Sequence, residues 1–331
     1  MIRIGLLGCG RIGIVHAGSM ELLRHQAQLV AVADAMPEAA QSLAAAHSAE
    51  VRTADEIIAS DDIDAIVIGT PTTTHYDLIH AAAAAGKAIF CEKPVDLSSD
   101  RVKDCMSVVA TAGVPFLTAF QRRFDPTFSN LQARLRDGEI GDVELIMLTS
   151  RDPAPPPIGY IKTSGGLFRD MMIHDLDMAR FLLGEEPIEI FAVGACHVDP
   201  AIGEAGDVDT AAVTLKTASG KICQISNSRR ATYGYDQRIE VHGARGMLSA
   251  ANQLINGVEV AGAPGFTRQA NQPFFLERYK DAYFLEMQHF LQAMTEGTLL
   301  TPDLHDGLRA QMLADAAAAS LEANAPVAVP A

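Results

Sequence analysis

Two short segments carry residues whose types and spacing suit proton transfer. In Gly165-Gly166-Leu167-Phe168-Arg169-Asp170-Met171-Met172-Ile173-His174-Asp175-Leu176-Asp177, Asp170 and His174 stand four positions apart, so a helix would place them on one face. A carboxylate beside an imidazole fixes its tautomer and stabilises the imidazolium, which makes the imidazole a better general base. Two plainer readings compete: Asp170 as a carboxylate favoured by a helix N-terminus, and His174 as a packed core histidine. A shared cation is a third, but no third ligand with suitable spacing is evident, so no metal site is expected. The second segment is Cys91-Glu92-Lys93-Pro94, at the carboxyl end of an apolar strand. A lysine whose backbone is set by Pro94 can donate to a substrate oxygen there, although a solvated lysine in a turn is the commoner fate.

Removing a hydroxyl proton is half of an alcohol oxidation; the hydride needs an acceptor. Gly8-Cys9-Gly10-Arg11-Ile12-Gly13 fits G-x-G-x-x-G, follows a strand and opens a helix. Gly8 allows the tight turn, Gly10 lets the backbone approach a pyrophosphate, and Gly13 permits close helix–strand packing, with the diphosphate on the positive end of the helix. Asp34, 21 positions after Gly13, ends the second strand, where a carboxylate accepts from both ribose hydroxyls and repels a 2′-phosphate. Ala35 beside it offers no compensating cation, so the predicted cofactor is NAD over NADP. Arg11, Ile12, Thr70, Pro71, His75, Glu92 and Lys93 complete the expected cofactor-binding set.

The elements that must position these residues read as two domains. Apolar strands at Ile2–Leu7, Leu29–Ala33, Ala65–Gly69, Ala88–Cys91 and Phe116–Ala119 alternate with helical stretches, which predicts βαβ units and a parallel-sheet, Rossmann-type α/β domain over 1–120. Val143–Thr149, Ile188–Val198, Val208–Leu215, Ile222–Asn227, Arg238–Val241 and Met247–Ala250 are strand-like with few helices between them. They predict an α+β domain over 121–331 with a large, mostly antiparallel open sheet. Helices are expected at Pro126–Arg136, Phe168–Leu183, Glu277–Met294 and Asp306–Leu321, the last (about 303–322) expected to pack back on the first domain. Pro153-Ala154-Pro155-Pro156-Pro157 is a rigid loop, either plain surface or a wall of the site.

Composition bounds the partners. The chain has 331 residues, 48% of them hydrophobic and 20% charged, with a net charge of -15, which disfavours nucleic acid and anionic membranes. Five scattered cysteines with no C-x-x-C pairing point to the reducing cytoplasm, and no targeting or membrane-spanning segment is evident.

Gly8–Gly13, Glu92-Lys93-Pro94, Phe120-Gln121-Arg122-Arg123-Phe124-Asp125, Ser164–Leu183 and Tyr233-Gly234-Tyr235-Asp236 together resemble the glucose–fructose oxidoreductase/inositol dehydrogenase (Gfo/Idh/MocA) family along essentially the whole chain. The first two motifs belong to the whole family. The Asp170–His174-Asp175 segment and the Arg-Arg-Phe-Asp block are more particular to its inositol 2-dehydrogenases. The resemblance implies that Lys93, Asp170 and His174 are catalytic, with His174 as base on the C2 hydroxyl of myo-inositol, giving the 2-keto product (scyllo-inosose). It implies that Asp170 orients His174 and that Lys93 hydrogen-bonds the reacting oxygen. Arg122 and Tyr233, and more weakly Asp152, would line a polyol pocket, and the second-domain sheet would pack in a homo-tetramer. With no Trp in the chain, hydrogen bonding must carry specificity for a polyol. Three alternatives stay open: another inositol isomer or a sugar as substrate, a hydrolase or eliminating enzyme that cycles a retained NAD, and a non-catalytic NAD sensor.

Overall fold

The computed structural model describes residues 1–330. The chain folds as two compact units, one formed by Met1–Phe124 with Asp281–Gln311, the other by Asp125–Lys280 with residues 312–330.

The first unit alternates β1 (Ile2–Leu7), α1 (Arg11–Leu22), β2 (Ala27–Ala33), α2 (Pro37–His47), β3 (Glu50–Val51), α3 (Ala54–Ala59), β4 (Ala65–Ile68), α4 (His75–Ala84), β5 (Ala88–Glu92), α5 (Ser99–Ala112) and β6 (Phe116–Ala119). Its strands are parallel in the order β3-β2-β1-β4-β5-β6. The order reverses between β1 and β4, which is where open sheets of this kind bind ligands. Strands covered on both faces need continuous apolar runs, and β4 and β5 are buried at every position. The core of Ile4, Leu6, Val32, Val67, Phe90 and Leu117 is joined by Met287, Phe290 and Leu291 from the helix Lys280–Glu296. Each side chain of that size contributes about 1.5–3 kcal/mol on burial. The short α3 exists because Thr53 and Glu56 form a reciprocal capping box.

The second unit contains α6 (Pro126–Arg136), β7 (Val143–Arg151), α7 (Ile158–Ser164), α8 (Ile173–Leu183), β8 (Pro187–Ala195), α9 (Pro200–Glu204), β9 (Thr210–Thr217), β10 (Ile222–Ser228), β11 (Asp236–Gly243), β12 (Gly246–Ala250), the hairpin β13 (Glu259–Gly262) with β14 (Gly265–Arg268), and β15 (Val327–Ala328). The large sheet runs β12-β11-β7-β10-β9-β8-β15 and is antiparallel throughout except for β7 against β10. Burial alternates along β9 and β11, so one face of the sheet is packed and the other open. α8 lies against β7 and β10 on the packed side.

Differences from the expected elements are local. The helix expected over Phe168–Leu183 is split: Leu167–Met172 forms a π-helical turn and only Ile173–Leu183 is α-helical. The proline-rich loop leads directly into α7, with Pro157 as its N-cap. β3, α3, the β13–β14 hairpin and β15 are further elements too short or too polar to stand out as periodic runs.

Candidate active site

The candidate residues divide between the two units. In the first, the glycine loop links β1 to α1. Gly8 has φ +98°, and a Cβ there would lie 2.5 Å from the Gly69 carbonyl oxygen; one on Gly13 would lie 2.0 Å from the Gly8 carbonyl oxygen. A Cβ on Gly10, by contrast, would meet nothing within 4 Å, so the backbone there faces open space. Gly10 is also the N-cap of α1 and supplies no side-chain cap, leaving the first-turn amides to a ligand. At the end of β2, Asp34 takes the Cys9 amide on Oδ2 at 2.6 Å and the Met36 amide on Oδ1 at 2.8 Å. Each carboxylate oxygen keeps acceptor capacity for a ribose hydroxyl. Loop, open amides and strand-end carboxylate together fit a dinucleotide.

The same sheet carries Lys93 just beyond β5. His75 lies between two carbonyls, Nδ1 2.9 Å from Pro94 and Nε2 2.9 Å from Thr70, which ties the turn after β4 to the cis Lys93–Pro94 peptide. Burial, its largest influence, lowers the His75 pKa, and the two carbonyls oppose that without reversing it. Beneath Lys93, Glu92 accepts from its amide at 3.3 Å and meets the buried His16 at 2.8 Å. Glu286, on the helix Lys280–Glu296, is fully buried, and neither carboxyl oxygen has a hydrogen-bond partner. Burial, with the charge of Glu92 adding to it, pushes its carboxyl well above the usual range. His16 and Glu286 were absent from the expected set. The available signal was Glu286 on an apolar stripe with Tyr283, Met287 and Phe290, at helical spacing. Arg122, also in this unit, is buried in the turn after β6, with Pro71 exposed and Ile12 half-buried.

In the second unit, α8 is a core helix. Of Ile173–Leu183 only His174 and Phe181 are not buried. Asp175 anchors it to the sheet, accepting from Ser150 Oγ on β7 at 2.5 Å and from Asn227 Nδ2 on β10 at 3.0 Å. That anchor fixes the helix register from which His174 projects. Asp170 sits in the π-helical turn one step earlier, accepting from the Tyr160 hydroxyl at 3.0 Å, with Arg229 Nη1 3.6 Å away. Tyr233 is half-exposed; its hydroxyl donates to the buried Asp236 at 2.7 Å and accepts from Arg151 at 3.0 Å. Asp152 follows β7, its amide bonded to the Ser228 carbonyl at 3.0 Å. The structure thus gathers Asp170 and His174 around one helix start. It sets Tyr233 and Arg151 at one end of the sheet, where β7 and β11 pair Arg151 with Asp236.

A glycine loop on a helix N-terminus, with a strand-end aspartate across from it, defines the first unit as that of an NAD-binding Rossmann oxidoreductase. Comparison with known proteins agrees. Residues 2–120 match the oxidoreductase family with the NAD-binding Rossmann fold, and residues 128–249 match the GFO/IDH/MocA C-terminal domain. The chain is 54% identical over 320 residues to the inositol 2-dehydrogenase of Rhizobium meliloti (strain 1021), covering 97% of each. It is 42% identical to the myo-inositol 2-dehydrogenase of Thermotoga maritima, over 97% of this chain and 96% of that one. The solved scyllo-inositol dehydrogenase of Lactobacillus casei, with bound NAD(H) and scyllo-inositol, superposes with a TM-score of 0.93 at 31% identity, covering 99% of both chains. The chain belongs to the GFO/IDH/MocA oxidoreductase family. It is an NAD-dependent oxidoreductase acting on CH–OH groups.

Proposed function

We propose that the protein oxidises myo-inositol at C2 to 2-keto-myo-inositol. The nicotinamide, when bound, accepts the hydride at C4. The rest falls to the chain: His174 takes the hydroxyl proton, Asp170 orients the ring and offsets its charge, and Lys93 donates to the reacting oxygen. The observation that carries this reading is His174 itself. A packed core histidine would share the full burial of its helix, and His174 is only half-buried in the first turn of α8, just after a carboxylate held by Tyr160. The relatives, an inositol 2-dehydrogenase at 54% identity among them, supply the substrate class. Arg122, Asp152 and Tyr233 are the candidates for binding the remaining hydroxyls; Arg11, Ile12, Thr70, Pro71, His75 and Glu92 join the glycines and Asp34 in holding NAD. We place the enzyme in the cytoplasm, where its five free cysteines stay reduced. No described helix is long and apolar enough to cross a membrane. We assign it a homo-tetramer through the open sheet face, which exposes Met147, Ile188, Val193, Ile222 and Met247.

The test is NADH absorbance with myo-, scyllo- and chiro-inositol and a set of pyranoses, each with NAD and with NADP. Turnover on myo-inositol with release of its 2-keto product supports the reading. Faster turnover on scyllo-inositol, the ligand in the Lactobacillus casei structure, moves the assignment to another isomer. Product formed with no net NADH identifies a family member that recycles a retained cofactor. His174→Ala should lose roughly 10²–10⁴-fold in turnover while still binding NAD; an unchanged rate removes His174 as the base.

A further inference from the structure

Arg229 is among the most deeply buried large side chains of the protein, with 1% of its surface exposed, and the proposed reaction does not use it directly. It follows β10, and its amide donates to the Asp209 carbonyl at 2.8 Å. Asp209 is itself fixed, its carboxylate accepting the amides of His197, Val198 and Asp199. The guanidinium therefore arrives on a rigid backbone. Its Nη1 lies 3.6 Å from Asp170 Oδ2 and its Nη2 3.8 Å from Asp207 Oδ2. Both separations exceed hydrogen-bond length, and Nε and Nη2 have no hydrogen-bond partner. The link is thus one of charge.

Asp207 is held as firmly as the arginine. Both of its oxygens accept the Leu167 amide at 3.0 Å, at the entry to the π-helical turn. Gly166 makes room for it: at φ +78°, a Cβ there would stand 2.6 Å from Asp207 Oδ1. Arg169 pairs with Asp315 at 2.8 Å, and Arg230 donates to the His197 carbonyl. Asp170 accepts from the Tyr160 hydroxyl on Oδ1 and has the Arg229 cation beside Oδ2.

We propose that Arg229 is a positioning residue for Asp170: bridging the carboxylates of Asp207 and Asp170, it fixes the orientation of Asp170 and the net charge that His174 faces. Stability alone accounts poorly for it, because a buried ion pair is often matched or bettered by apolar side chains of similar volume. The arrangement sets two carboxylates against one cation, a local excess of negative charge that favours a protonated imidazole during proton abstraction. This inference rests on the reading of His174 as the base.

The experiment follows kcat/KM for myo-inositol against pH in the wild type, Arg229→Met, Arg229→Lys, Asp207→Asn and His174→Ala. Losing the cation should move the acid limb up by about one pH unit; losing the Asp207 charge should move it down by a similar amount. At a pH on that limb, Arg229→Met should then be slower by roughly tenfold. Arg229→Lys should hold the limb near its wild-type position, with NAD affinity unchanged in all three. Opposite displacements cannot come from a merely structural role, which would lower the rate without moving the limb. A limb that stays still, or moves the same way in both charge-removing variants, overturns the proposal. If Arg229→Met does not fold, Asp207→Asn and Arg229→Lys still decide it. Persistence of the acid limb in His174→Ala is a separate result and defeats the base assignment instead.

Discussion

Replacing Glu286 by Gln should stabilise the first unit at neutral pH, and the gain should grow as pH rises. Glu286 has no exposed surface and no hydrogen-bond partner on either oxygen, and burial first, then the Glu92 charge, raises its pKa in the fold. In the unfolded chain the same group titrates near about 4.3. The native state therefore keeps a proton that the unfolded state has released. The associated stability is whole below the unfolded pKa and is lost progressively as pH climbs toward the folded pKa. Each unit in that window weakens the folding equilibrium about tenfold relative to a side chain that does not titrate. Gln keeps the shape and carries no charge at any pH. Urea unfolding of both proteins from about pH 5 to about pH 8, followed as the difference in midpoint, measures this directly. A difference that stays constant across the range would show that Glu286 releases its proton inside the fold as readily as outside it, and the argument from burial would fail.

Three further outcomes are expected. Asp34→Ser removes the carboxylate that would accept the ribose hydroxyls and repel a 2′-phosphate; kcat/KM should fall with NAD and rise with NADP, and a wild-type preference for NADP would refute the assignment. Gly13→Ala places a methyl group 2.0 Å from the Gly8 carbonyl oxygen, so NAD affinity measured by calorimetry should collapse and the melting temperature should drop, overpacking of this kind costing about 1–3 kcal/mol. Asp175→Ala takes from the buried Asn227 amide its acceptor, at about 1–3 kcal/mol, while Ser150 keeps Gln237 Oε1 at 3.0 Å; denaturation should show the loss, and turnover should fall with it as α8 loses its register.

Much of the fold is written locally. The glycine loop announces a Rossmann unit because Gly8 and Gly13 answer a steric demand and Gly10 leaves the backbone open, and β9 and β11 show the alternation that one-sided burial requires. What escapes local reading is pairing and partnership. Nothing within Val143–Arg151 or Ile222–Ser228 says that these strands run parallel among antiparallel neighbours. Nor does Lys280–Glu296 display which sheet its apolar stripe covers; the structure joins it to the first unit. The π-helical turn at Leu167–Met172 looks helical in periodicity, and only the Asp207 carboxylate at its entry marks it out. Asp170 and His174 stand out as a pair because they are four residues apart. Arg229 does not, since its partners lie far off along the chain and an isolated arginine usually reads as solvent-facing.

The parallel pairing of β7 with β10 has a kinetic corollary. Pairing β10 with β7 closes the stretch from Arg151 to Ile222, which itself carries β8 and β9; Asp170, His174 and Asp207 all lie within it, and Arg229 follows β10 directly. Closing so long a loop is the slow kind of event in assembling a sheet. Refolding protein should thus acquire its bulk β-structure before Arg229 reaches Asp170, and catalytic competence should lag behind it as the final stage of maturation.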